Sequence, residues 1–136
     1  MITVKAMTDT TMLDAALDYA ATYNWLVFPV KRNKTPLTEH GFYNATTDPE
    51  QISAWYNNGV RRGIGLATGK QSGVVALDVD MKDGKNGEAS LAALEAQHSA
   101  LPTTVSACTG SGGRHIYFKQ PDNITIATNC GFAKLG

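Results

Sequence analysis

Two aspartates stand one residue apart inside an apolar run: Asp78 and Asp80 in the stretch GVVALDVDMKDGKNG at 73–87. Strand side chains alternate faces, so Val75, Leu77 and Val79 point one way, and Asp78, Asp80 and Ala76 the other. Two carboxylates on one face at that spacing, with Cα atoms roughly 6.5–7 Å apart, suit a shared cation or a pair of cations. Oxygen-only donors favour Mg2+ or Mn2+ over zinc. Without a cation between them, the like charges raise one pKa and destabilise the strand. The bland alternative is a pair of solvated acids at a fraying strand end, because DxD is common and weakly specific.

Further along, RHIYFK at 114–119 reads as the return strand of a hairpin whose turn is TGSGG, Thr109 to Gly113. Its alternation puts Ile116 and Phe118 on a covered face, and His115, Tyr117 and Lys119 on an open one. If this strand shares a sheet with the aspartates, His115 and Lys119 join them. The glycines Gly112 and Gly113 permit close backbone approach, and the turn amides suit an anion nest. An acidic pair, an imidazole, Arg114, Lys119 and a glycine-rich turn together describe a site for a nucleoside triphosphate. Taken singly, each has a plainer reading: a hairpin turn, a structural histidine, solvated edge cations.

Those residues need elements to hold them. Leu13, Ala16, Leu17, Ala20 and Tyr23 recur at helical spacing and predict a helix over 10–23, with Asp9, Thr10 or Thr11 as its cap. WLVFPV at 25–30 reads as a buried strand, and KRNKTP as the loop after it. Residues 37–47 read as irregular. Asp48 and Pro49 mark a helix start, and PEQISAWYNN ends near Gly59. GIGLAT at 63–68 is a second strand, Gly69–Gly73 a turn, and the aspartate strand follows. A helix is expected over 89–98, a strand over 104–109, and a weaker strand over 124–126. Alternating elements followed by a hairpin give an α+β plan, with helices packed on one side of a sheet.

The 136 residues fit one domain able to bury a core without staples. Twelve cations balance twelve acids, so nucleic-acid binding would have to use local patches rather than bulk charge. Such cations gather at Lys31, Arg32 and Lys34, at Arg61 and Arg62, and at Arg114 and Lys119. Cys108 and Cys130 form no CxxC pair, which argues against a zinc knuckle. Two reduced thiols are the preferred reading, a disulfide the alternative. The N-terminus lacks an apolar signal-peptide core, and no stretch reaches the length of a membrane helix. The expectation is a soluble, cytoplasmic domain with no membrane association. GLATGKQSG at 65–73 fails the Walker spacing, because Gln71 follows Gly69-Lys70. It reads as a tight connection, with Thr68 or Ser72 near a ligand. His40 and His98 lack partners at ligand spacing, and Trp25 and Trp55 read as packing residues.

In order along the chain, ALDYAATYNWLVFPV, KTP, GFYNATTDPEQISAWY, GIGLATGKQSGVVALDVD and LPTTVSACTGSGGRHIYF resemble the prim-pol domain of the bifunctional DNA primase/polymerase family, within the archaeo-eukaryotic primase superfamily. The resemblance covers roughly residues 13–119. It implies an RRM-like antiparallel or mixed sheet with an N-terminal α/β unit, and a single prim-pol-like domain over 1–136. It implies a nucleotidyltransferase: metal-dependent, template-directed synthesis in the replication of a phage, plasmid or other mobile element. Its partners would be nucleoside triphosphates, single-stranded DNA template and primer, and a helicase domain or protein.

By that resemblance Asp78 and Asp80 are catalytic metal ligands. His115 contacts the incoming phosphates, and Ser111, Gly112, Gly113, Arg114 and Lys119 surround the nucleotide. The family's third motif supplies another acid on a later strand, and no acid follows Asp122 here. The expectation is therefore a domain cut short before that motif and C-terminally incomplete. Two rivals stay open: a non-catalytic nucleotide- or nucleic-acid-binding remnant, and a metal-dependent phosphodiesterase.

Overall fold

The computed structural model describes residues 2–4 (backbone), 11–57 and 62–128. The helix predicted over 10–23 runs from Met12 to Tyr23 (α1). Thr11 caps it reciprocally: its Oγ1 accepts from the Asp14 amide at 3.1 Å and donates to Asp14 Oδ2 at 2.6 Å. That satisfies one of the amide donors that a helix start leaves open. Asn24 closes α1 in the left-handed region, φ 55°. This stop delays the strand expected from Trp25, so β2 begins at Val27 and ends at Val30. Trp25 packs instead on Tyr23 and Tyr19. The helix expected at Asp48-Pro49 is α2, Pro49–Tyr56, with Asp48 Oδ1 accepting from the Glu50 amide. At its far end, Arg62 donates to the Trp55 carbonyl at 2.6 Å.

Among the described residues there are two three-stranded sheets. The first has the order β1-β3-β2, with β1 at Ile2–Val4 and β3 at Gly63–Leu66, both pairings antiparallel. β2 is an edge strand, the place where a strand tolerates a proline such as Pro29. Phe28 lies opposite Gly65 in the register. A Cβ on Gly65 would meet the Phe28 ring at 2.5–2.8 Å, so the glycine makes room for that ring. Ala15, Ala16 and Ala20 of α1 and Ile52 and Tyr56 of α2 close over Val27 and Ile64. Ile52 is fully buried, and burying a side chain of that size contributes about 2–3 kcal/mol. The Tyr56 hydroxyl donates to the Gly63 carbonyl at 3.0 Å, and burial raises the phenol's pKa.

The second sheet has the order β4-β6-β5, with β4 at Val74–Val79, β5 at Ser106–Cys108 and β6 at Arg114–Lys119. α3 runs from Gly87 to Gln97 and packs Leu91 against Val79 and Ile116, with Leu77 and Phe118 at the margin. The chain divides into two units, Met1–Val74 and Val75–Gly136. It is an α+β mix with two small antiparallel sheets, as the expected α+β class requires.

Three further differences have local causes. α3 starts two residues before Ala89, because Asn86 caps it by accepting from the Ala89 amide at 3.1 Å. Residues 124–126 form no strand. The buried Gln120 side chain donates to the carbonyls of Pro121 and Ile124, which loops that segment back. Residues 41–44, within the irregular stretch, form a single 3-10 turn. Cys108 is a free, exposed cysteine. Arg61, Cys130 and the tail NCGFAKLG lie outside the described residues, as do Asp9, Thr10 and Gly59.

Candidate active site

The alternation read from the sequence sorts the second sheet's side chains. Leu77 and Val79 of β4 meet Ile116 and Phe118 of β6 beneath α3. The intervening residues Asp78 and His115 therefore lie on the other face, where His115 Nε2 approaches Asp78 Oδ1 at 3.6 Å. The carboxylate side chain is 63 % exposed and the imidazole 11 %. One partner of the pair is held by packing, and the other is open to whatever binds. Tyr117, two residues on, sets its ring edgewise to the imidazole at 6.3 Å. Both residues are buried, so the face of β6 expected to be open is covered there and exposed only at Lys119.

Asp80 sits just past the end of β4 and is engaged locally. Lys85 Nζ lies 3.0 Å from its Oδ2, and the Lys82 amide donates to its Oδ1 at 3.3 Å. The Lys85 hydrogen bond, then the Lys82 amide, hold its carboxyl below its ordinary pKa. Any ion bound by Asp80 competes with an ammonium already present. The backbone there is fixed from the other side by the Gly87 amide, which donates to the Asp80 carbonyl at 2.9 Å. A Cβ on Gly87 would fall 2.7–2.8 Å from the Asp80 main chain, so only glycine fits this approach.

Arg114 points to α3 rather than to the acids. Its guanidinium makes a two-pronged pair with Glu88, Nε to Oε1 at 2.7 Å and Nη2 to Oε2 at 3.0 Å. This planar fork is the strong geometry for an arginine and a carboxylate. The arginine lowers the Glu88 pKa, and the glutamate raises that of Arg114. The first turn of α3 thus holds both halves of the site, with Gly87 against the end of β4 and Glu88 against the start of β6.

The hairpin turn spends part of its hydrogen-bonding capacity on itself. Thr109 N–H donates to the Gly113 carbonyl at 2.8 Å, and Gly112 N–H to the Thr109 carbonyl at 3.2 Å. The latter amide is therefore committed to the turn rather than to a nest. Gly112 has φ 84°, a value that favours glycine. Gly113 is buried against Val79, where a Cβ would lie closer than 3.0 Å to the Val79 carbonyl oxygen. Ser111 is exposed, with its Oγ 3.2 Å from Thr109 Oγ1, and Lys119 is exposed at the far end of β6. The Ser72 Oγ accepts from the Leu26 amide at 2.9 Å, a tie within the first unit.

The structure thus brings together Asp78 and His115, with Gly113 wedged beside them, and directs Arg114 elsewhere. Sequence reasoning missed Glu88, Lys85 and Gly87. An acid in a first helical turn and a lysine in a polar loop carry no signal of their partners, and the Glu88–Arg114 pair spans 26 residues. Among the described residues, no group of three or more His, Cys, Asp or Glu side chains is placed to hold a metal ion. A cleft of about 260 Å³, lined by Leu91, Glu95, Leu101, Thr104, Arg114 and Ile116, lies on the α3 side and includes neither Asp78 nor His115.

Residues 16–136 match the family described as "Bifunctional DNA primase/polymerase, N-terminal". That match spans most of the chain, and the chain belongs to this family. Its domain is accordingly of DNA primase/polymerase type, a class that binds nucleotides and DNA. No curated protein and no solved structure matches the chain. No described helix is long and apolar enough to cross a membrane.

Proposed function

We propose that this domain carries out template-directed nucleotidyl transfer from nucleoside triphosphates in the replication of a mobile element, at the face that bears Asp78 and His115. One observation carries the reading. In a chain of this family, the acid-bearing strand and the histidine strand lie in one sheet, and Asp78 meets His115 on the face away from α3. The residues that would hold Mg2+ or Mn2+ are Asp78 and Asp80, whose hard oxygen donors suit either ion. Bound there, a divalent ion supplies charge neutralisation at the phosphates and lowers the pKa of an attacking hydroxyl.

The chain's own residues do the rest. His115, anchored by packing, offers an N–H to a phosphate oxygen while Asp78 sets the ring's orientation. Lys119 and Ser111 are exposed, where a polyphosphate can reach them, the Ser111 hydroxyl exchanging its Thr109 contact for a phosphate oxygen. Arg114 serves this reading as a brace rather than as a phosphate ligand. Its pair with Glu88 fixes the start of β6, and with it the histidine one residue on.

Asp78→Asn tests the proposal. Binding of a nucleoside triphosphate by calorimetry should lose its dependence on Mn2+ or Mg2+, and primer extension should fall by at least two orders of magnitude. Unchanged metal-dependent binding and unchanged synthesis would overturn it. A second reading is nucleotide binding without turnover, and the Lys85 ammonium on Asp80 favours it. Metal-independent triphosphate binding with no synthesis by the wild-type chain would select it.

A further inference from the structure

On the first unit, residues 36–46 form an arch along the outer edge of β2. One foot pairs Pro36 with Val30, and the other pairs Thr46 with Val27. The Leu37 amide adds a hydrogen bond to the Pro29 carbonyl at 2.9 Å. Between these feet the 3-10 turn Gly41–Asn44 pushes two aromatic side chains outward. Phe42 and Tyr43 stack on each other with ring centroids 4.4 Å apart and planes 30° apart, and they are 40 % and 74 % exposed. Phe42 is the more covered ring, and Tyr43 stacks on it with about three quarters of its own surface open.

The turn leading into the arch is basic. Lys31, Arg32 and Lys34 are exposed and enter no ion pair among the described residues. The turn is rigidly built. The Lys31 amide donates to the Thr35 carbonyl, the Lys34 amide to the Lys31 carbonyl, and Asn33 Oδ1 accepts from the Thr35 amide. Lys34 has φ 68°, so the backbone holds an uncommon conformation in order to close this loop. From 31 to 46, Glu39 is the one carboxylate against three cations, in a chain whose total formal charge is zero.

Cations beside outward-facing stacked rings are the recognition chemistry of unpaired nucleic acid. The cations take phosphates, and a ring face continues a stack of bases. Duplex DNA hides its base faces and would use the cations alone. An apolar protein partner would leave three cations to be desolvated without compensation. We infer that the Phe42–Tyr43 stack and the Lys31–Arg32–Lys34 turn form a contact surface for single-stranded DNA. The choice of DNA rests on the primase/polymerase reading, while the contact rests on this surface.

Fluorescence anisotropy of a labelled oligo-dT, with the full chain in EDTA, tests the contact without any metal-dependent step. Tyr43→Ala should weaken binding roughly five-fold or more, within the range for loss of one base–aromatic stack. Replacing Lys31, Arg32 and Lys34 together by glutamine should flatten the slope of log K against log salt by about 2, at ~0.7 per phosphate contact. Tyr43 is mostly exposed, so its variant should melt with the wild type, and circular dichroism checks this. Wild-type oligonucleotide affinity in both variants would overturn the inference, as would equal affinity for duplex and single strand. Either result leaves the Asp78→Asn test of nucleotidyl transfer standing. Failure of that test, conversely, leaves metal-free oligonucleotide binding unaffected.

Discussion

Replacing Gly113 by alanine puts the geometry of the site to its most direct test. Gly113 closes the hairpin turn immediately before β6, and its φ is not positive, so an alanine meets no backbone strain there. The obstacle is steric. The new methyl would enter the contact shell of the Val79 carbonyl oxygen, with Thr109 Oγ1 at 3.1 Å and the Val79 carbonyl carbon at 3.3 Å. Thr109 can rotate, but Val79 cannot yield cheaply, because the next residue's main chain is held by Gly87. The turn must therefore retreat from β4, and it takes with it His115, two residues on, widening the 3.6 Å approach to Asp78. Overpacking of this kind costs about 1–3 kcal/mol, and the rigid carbonyl argues for the upper half of that range. For a chain of this length, that lowers Tm by roughly 6–12 °C. Gly110 is the internal control. It lies in the same turn, has no positive φ, and a Cβ there meets nothing within 4 Å. Gly110→Ala should be neutral, or stabilising by about 0.4–1 kcal/mol through the unfolded chain. Thermal unfolding of the two variants and the imidazole NMR signals of His115 are the readouts. If Gly113→Ala melts with Gly110→Ala and leaves those signals in place, the account of how the hairpin is seated against β4 is wrong.

Two further outcomes follow from the charged groups. Glu88 has a folded pKa below its ordinary value of 4.5, held there by Arg114, so its pairing stabilises the fold above that value and the benefit disappears as pH falls through the lowered pKa. The stability gap between wild type and Glu88→Gln should be full at neutral pH and close below pH 4.5, in urea titrations across that range; a gap independent of pH would refute it. Lys85→Gln removes the ammonium from Asp80 Oδ2, which should tighten Mn2+ binding several-fold in a calorimetric titration. Unchanged or weaker binding would separate Asp80 from the proposed ion.

Much of this molecule is written locally. The cap at Thr11, the Asp48-Pro49 helix start and the faces of β4 and β6 follow from side-chain chemistry and a two-residue period, which need no knowledge of distant partners. Gly65 is legible only in part: the sequence shows a glycine in a strand, and the register shows the Phe28 ring that requires it. The strand expected over 124–126 failed because the Gln120 side chain captures the Ile124 carbonyl, a competition that strand propensity does not register.

By itself, the sequence determined which residues are able to do chemistry and on which side of their strands they stand, because alternation is a property of the extended backbone. Tertiary structure alone decided which of them meet. It set β4 beside β6 so that Asp78 finds His115, and it sent Arg114 to Glu88 on α3. It also gave Asp80 a lysine as its neighbour. Such pairings join residues up to tens of positions apart, and they are fixed by packing of whole elements, which no short window of residues encodes.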